Sequence, residues 1–152
     1  MNDTIDRYAP LGFYNLAEDF YKAAALCAAA HDKRTVQFRF SHVPYYLHTH
    51  SIELALKAYL RTHRVTEAEL KKSFRHGFVD LLAKCEAMGL KVRKPKRTRQ
   101  LVDFLNELTK DQTFRYFYGG TKQVPELREM REGNERVLAA VQSACMRSIK
   151  AR

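Results

Sequence analysis

The sequence predicts an all-α protein, an antiparallel bundle of about five helices. Three observations carry this. Apolar residues recur at steps of three and four through most of the chain, which is the helical period. Only six glycines and four prolines punctuate 152 residues, too few for the many turns of an all-β fold. One stretch alone, Thr35 to Phe40, alternates weakly as a strand would. A lone strand has no pairing partner, so that stretch reads as the lead-in to a helix.

The first helix is expected from Pro10 to about His31, because proline suits a first turn whose N–H groups have no intrahelical acceptor. Phe13, Leu16, Phe20, Ala24 and Cys27 supply its apolar stripe, and Asp32-Lys33-Arg34 its exit. A second, longer helix starts near Pro44 and runs to about His63, burying Leu47, Ile52, Ala55, Leu56 and Tyr59. Glu53 precedes Lys57 by four residues, the favourable order for an ion pair. Thr66 to Lys72 reads as a short turn with a capping box between Thr66 and Glu69. Ser73 is the expected cap of the next helix, which buries Phe78, Leu81, Leu82 and Cys85 and stops near Met88 before Gly89. Lys91 to Arg99 reads as a basic linker broken by Pro95. A further helix is expected from Leu101 to Leu108, with Leu101, Phe104, Leu105 and Leu108 inward. Lys110 to Val124 reads as an aromatic, glycine-containing loop. The last helix begins near Pro125, with Glu126, Glu129 and Glu132 early and Arg147 and Lys150 late, as the helix dipole favours. Gly133 interrupts it and reads as a bend.

One domain is the expectation for this length, large enough for a core without staples. Twenty-seven Lys and Arg against 17 Asp and Glu leave a net charge of +10, which attracts polyanions. Nucleic acid is the first expected partner, with acidic proteins and anionic membranes as competitors. Cys27, Cys85 and Cys145 are odd in number, far apart and without a Cys-x-x-Cys, the pattern of reduced thiols in a cytoplasmic protein. The start of the chain has no secretory pattern, and the longest apolar run, Ala23 to Ala30, is too short for a membrane span.

His48-Thr49-His50-Ser51-Ile52-Glu53-Leu54-Ala55-Leu56-Lys57-Ala58-Tyr59-Leu60 and Arg75-His76-Gly77-Phe78-Val79-Asp80-Leu81-Leu82 together resemble the central helix pair of the HEPN family of small α-helical proteins. Phe114-Arg115-Tyr116-Phe117-Tyr118-Gly119-Gly120, with Pro125 beyond, resembles the Arg-Tyr loop of some members. The resemblance covers under half of the chain. It implies a HEPN-like bundle, a homodimer with a groove between subunits, and a role in handling RNA or nucleotides. The family's RNase signature is an arginine, four to six residues, then a histidine. None of His31, His42, His48, His50, His63 and His76 has an arginine at that distance before it. The expectation is therefore a module that binds RNA or nucleotides through a basic surface, without a cofactor. One rival is a diverged, metal-independent RNase with a composite Arg/His site. Another is an interaction module that docks an acidic protein.

The candidate residues follow from chemistry. Arg75 and His76 open a helix, close behind Lys71 and Lys72, where free N–H groups and the dipole suit a phosphate. For His76, packing and hydrogen bonding between helices is the stronger expectation. With Arg115 they form the candidate catalytic set. Arg93, Lys94, Lys96, Arg97 and Arg99 are the densest positive run and bind phosphate oxygens without sequence-specific geometry, although a solvated loop has the same composition. Tyr116 and Tyr118 are base-stacking candidates, and the competing expectation is that Tyr116 and Phe117 plug the end of the bundle. His48 and His50 are two apart on a helix and point in different directions, so no metal site is expected. No phosphate-cradling glycine loop, nucleophile elbow or cysteine–histidine motif occurs.

Overall fold

The computed structural model describes residues 9–37, 42–73, 77–110 and 125–150, and among these every regular element is helical. In chain order they are α1 (Pro10–Asp32), α2 (His42–Thr62), α3 (Glu67–Ser73), α4 (Phe78–Ala87), α5 (Pro95–Lys110) and α6 (Leu127–Lys150). The protein is an all-α bundle. α2 is its spine: α1, α4 and α6 all pack against it, α1 also meets α6, and α5 joins α4 to α6.

The composition of α2 explains its position. Ser51, Ile52, Leu54, Ala55, Leu56, Ala58, Tyr59 and Leu60 are all buried, so apolar or small side chains cover most of its circumference. Two of its three tyrosines carry polar tips to chain segments that lack helical partners. Tyr45 donates to the Pro125 carbonyl ahead of α6, and Tyr59 donates to the Met88 carbonyl at the exit of α4 at 3.0 Å. Around α2, Tyr14, Leu70, Phe78, Leu81, Leu105, Met130 and Val141 complete one continuous core.

Several local signals act as read. Pro10 stands in the first turn of α1. Thr66 and Glu69 form the reciprocal capping box, with Glu69 accepting from the Thr66 N–H at 2.6 Å and Thr66 Oγ1 accepting from the Glu69 N–H at 3.2 Å. Gly89 takes φ +102°, the left-handed turn that closes α4. Arg34 and Arg64 serve the same purpose after α1 and α2, at φ 56° and 63°.

Other expectations are corrected. The basic segment is no linker, because α5 begins at Pro95 and carries Lys96, Arg97 and Arg99 on its first turns. Proline fits the first helical position, and the Thr98 N–H closes the turn onto the Lys94 carbonyl at 3.0 Å. Buried Thr98 and Val102 extend the inward stripe of α5, while Phe104 is left 43% exposed. Ser73 ends α3, and Gly77 is the residue that precedes α4. In α1 the buried residues are Pro10, Tyr14, Ala17 and Ala24; of the expected stripe, Ala24 is buried, Phe13 and Phe20 pack against the core and Cys27 is half-buried, while Leu16 is 46% exposed. Tyr14, Ala17 and Ala24 are buried on this side, where α1 packs against α2 and α6.

Gly133 is buried at a helix contact. A Cβ there would overlap Leu101 Cδ2 across the α5–α6 interface. Gly133→Ala gains about 1 kcal/mol of helix propensity but forces buried Leu101 from its rotamer, at about 1–3 kcal/mol. We expect a net loss of about 1 kcal/mol by denaturant titration. Adding Leu101→Ala should make the double variant more stable than the sum of the two single losses.

Candidate nucleic-acid interface

The start of α5 gathers most of the predicted phosphate-binding residues. Arg93 and Lys94 lead into it, Lys96, Arg97 and Arg99 stand on it, and all five are exposed. Lys94 turns the chain with a left-handed φ of 50°, directly before Pro95. The first turn of α5 contains no acidic residue. One of the five is partly neutralised, since Arg99 Nη2 lies 3.2 Å from Glu86 Oε2 of α4. Lys94 also sits close enough to Glu132 for its charge to act on that carboxyl. Hydrogen bonding from Arg128 is the main cause of the low proton affinity of Glu132, and Lys94 adds to it.

A sixth cation arrives from another helix. Arg136 of α6 reaches Thr98, its Nε donating to Oγ1 at 3.4 Å. This sets a guanidinium beside the inward side of the first turn of α5, where Thr98 is buried. Nothing local in the sequence marks it, because Arg136 lies 37 residues beyond Arg99 and outside any basic run. Its signal was only indirect: the buried Gly133 one turn earlier marks where α5 and α6 touch.

Lys71 and Lys72 do not join this face. They end α3 beside the start of α4, whereas the Arg99–Glu86 contact puts the start of α5 beside the end of α4. The ten residues of α4, roughly 15 Å of helix, separate the two groups. Lys71 is also paired with Glu67 at 2.6 Å. Arg75, His76, Arg115, Tyr116 and Tyr118 lie outside the described residues.

The two histidines of α2 diverge, as their spacing requires. His48 is 2% exposed and sits among α1, α2 and α6. Asn134 Nδ2 donates to His48 Nδ1 at 3.1 Å, so the neutral ring carries its proton on Nε2. The Ser51 hydroxyl is shared between the Ala17 carbonyl at 2.6 Å and Asn134 Oδ1 at 3.1 Å. Burial, reinforced by the charge of Arg131 and opposed by Glu135, pushes the His48 pKa down to about 4. Tyr21 covers this network: its ring lies 5.8 Å from that of His48, and its hydroxyl donates to Glu135 at 2.6 Å.

His50 lies on the outer side of α2. Phe20 meets it edge-on with centroids 4.5 Å apart, and Tyr46 lies parallel to it at 6.1 Å. Its Nδ1 is 3.8 Å from Glu53, which also pairs with Lys57. Burial alone would raise the Glu53 pKa, but His50 and Lys57 outweigh it and hold the carboxyl at about 2. This row is a self-satisfied ladder, as the Glu53–Lys57 spacing implied. Among the described residues, no group of three or more His, Cys, Asp or Glu is placed to hold a metal ion. Cys85 and Cys145 are buried and Cys27 is half-buried, all as free thiols. Burial raises the Cys145 pKa to about 11 and that of Cys85 further, which leaves both poor nucleophiles. No helix among the described residues is long and apolar enough to cross a membrane.

Among the described residues, these elements define an all-α bundle with exposed basic residues concentrated at the start of α5. Comparison with family models, with curated proteins and with solved structures finds no match.

Proposed function

We propose that this chain is a HEPN-like, homodimeric cytoplasmic module that binds RNA or nucleotides through the start of α5. The observation that supports this most is the cluster of exposed Arg93, Lys94, Lys96 and Arg97 at the start of α5, on a turn without a carboxylate of its own. Phosphate oxygens are the natural complement of such a face, because arginine forks and lysine ammonium groups bind them without reading sequence. The net charge of +10 adds long-range attraction to the contact.

Fluorescence anisotropy with a single-stranded RNA oligonucleotide tests this. With four phosphate contacts, affinity should fall about 50-fold between about 50 and 200 mM salt. Replacing Arg93, Lys94, Lys96 and Arg97 by alanine should weaken binding at least about 10-fold and flatten that salt dependence. Equal binding by the quadruple variant would move the interface elsewhere. No binding by the natural chain at low salt would remove nucleic acid as the ligand and leave an acidic protein as the partner of this face.

A further inference from the structure

We infer that the basic start of α5 holds a single-stranded nucleic acid, with Phe104 stacked on one of its bases. The inference rests on the RNA-binding surface put forward above, not on the homodimer, and it narrows that reading to one class of ligand.

Among the described residues, Phe104 is the one phenylalanine or tyrosine that is exposed, and it leaves 43% of its surface in water. Phe13, Phe20 and Tyr21 are half-buried against the core, and Tyr46 lies along His50. The helical register sets Phe104 in line with a cation. Arg97 stands seven residues earlier on α5, two turns away, and so within about 20° of it around the axis. Leu101, four residues after Arg97 and three before Phe104, meets α6 at Gly133. Arg97 and Phe104 therefore share the flank of α5 that turns toward α6. Arg99 leaves this flank for Glu86 of α4. Two carboxylates in the neighbourhood are already matched, Glu107 by Lys110 at 2.9 Å and Glu132 by Arg128 at 2.9 Å.

A cation cluster with an exposed aromatic ring two turns along the same flank fits a ligand that carries both phosphates and open bases. Arg97 and Phe104 are about 10 Å apart along the helix axis. A strand advances roughly 3.4 Å per stacked nucleotide, so one that sets a phosphate on Arg97 brings a base to Phe104 about three nucleotides on. Every base has a π-face, so the contact holds whatever the sequence. A duplex lacks this feature, because its base faces are covered by their neighbours and only the edges reach the grooves. An acidic protein lacks it too. The face of a phenyl ring is the negative side of its quadrupole, which disfavours a carboxylate there. The charge of the cluster thus calls for a polyanion, and the ring selects the polyanion whose bases are unpaired.

The chain contains no tryptophan, so Phe104→Trp supplies a single fluorescent reporter at this position. Its emission should be quenched when a single-stranded RNA oligonucleotide binds at about 50 mM salt, and not when an abasic strand of the same length binds. Phe104→Ala and Phe104→Leu should each weaken single-stranded RNA binding at least about 5-fold. The salt dependence should stay as it is, because no phosphate contact is lost. Leucine keeps apolar bulk and removes the π-face, and circular dichroism should show both variants as helical as the natural chain. Neither substitution should change binding of the abasic strand or of double-stranded RNA. Salt-dependent RNA binding that both variants retain in full, with no quenching in Phe104→Trp, would overturn the stacking contact and leave the basic surface standing. An equal loss on the abasic strand would overturn it as well, since the effect would then not pass through a base. No RNA binding by the natural chain at low salt would overturn the contact and the surface together.

Discussion

Lowering the pH from about 7 to about 4.5 should cost the folded state about 2–3 kcal/mol through His48 alone. The ordinary histidine value is 6.5, and the folded protein holds His48 at about 4. Between these values the unfolded chain takes up a proton that the folded chain refuses. Stability is therefore fully present above the unfolded value and is lost as the pH falls toward the folded one. The geometry gives the reason. A protonated ring would carry N–H at Nδ1, where the Asn134 amide already points an N–H at it, and the charge would be buried beside Arg131. Glu53 adds a second, more acidic stage. Its pKa is depressed from 4.5 to about 2, so its contribution is lost only as the pH falls through that lower window. Urea titrations at both pH values measure the first stage. His48→Gln keeps a neutral acceptor and should lose much less stability over the same interval. An equal loss in that variant would show that His48 is not the acid-labile group.

Asn134→Ala should destabilise the fold by about 3 kcal/mol at neutral pH. The amide is fully buried, donates to His48 and accepts from Ser51. Removing it leaves His48 Nδ1 as a buried acceptor without a donor, at about 1–3 kcal/mol, and opens a small cavity between α2 and α6. Ser51 keeps its bond to the Ala17 carbonyl, so the loss should fall chiefly on His48. Combining Asn134→Ala with His48→Leu separates the two contributions. The double variant should be more stable than the sum of the single losses by about 1–2 kcal/mol, because it no longer holds an orphaned nitrogen. Additive losses would show that the pair is not coupled.

How much of this was legible in the sequence depends on whether the signal was local. Pro10, the Thr66–Glu69 capping box and Gly89 act within one turn, and each sits where its chemistry says. Pro95 was ambiguous locally, since the same residue breaks a linker or opens a helix, and packing of Thr98 and Val102 decided for the helix. In α1 periodicity marks the large apolar residues, whereas the buried face of Tyr14, Ala17 and Ala24 is selected by packing against α2 and α6. The basic face was visible as composition, but Arg136 reaches Thr98 beside it only through tertiary contact. The His48–Ser51–Asn134 network could have been found. Ser51 precedes Ile52 on the face of Ala55 and Ala58, and Asn134 stands between Met130 and Val137 on the buried stripe of α6. Polar residues in those positions require partners.

The place of α2 as spine also implies an order of assembly. α1 and α2 are neighbours in the chain, as are α4 and α5, so each pair closes a short loop at small entropic cost. α6 reaches α2 only by closing a much longer one: Tyr45 and Pro125 are 80 residues apart. Two helical hairpins are therefore expected to form first, with the docking of α6 joining them. On that order Asn134→Ala should speed unfolding and leave the folding rate nearly untouched, which stopped-flow kinetics measures.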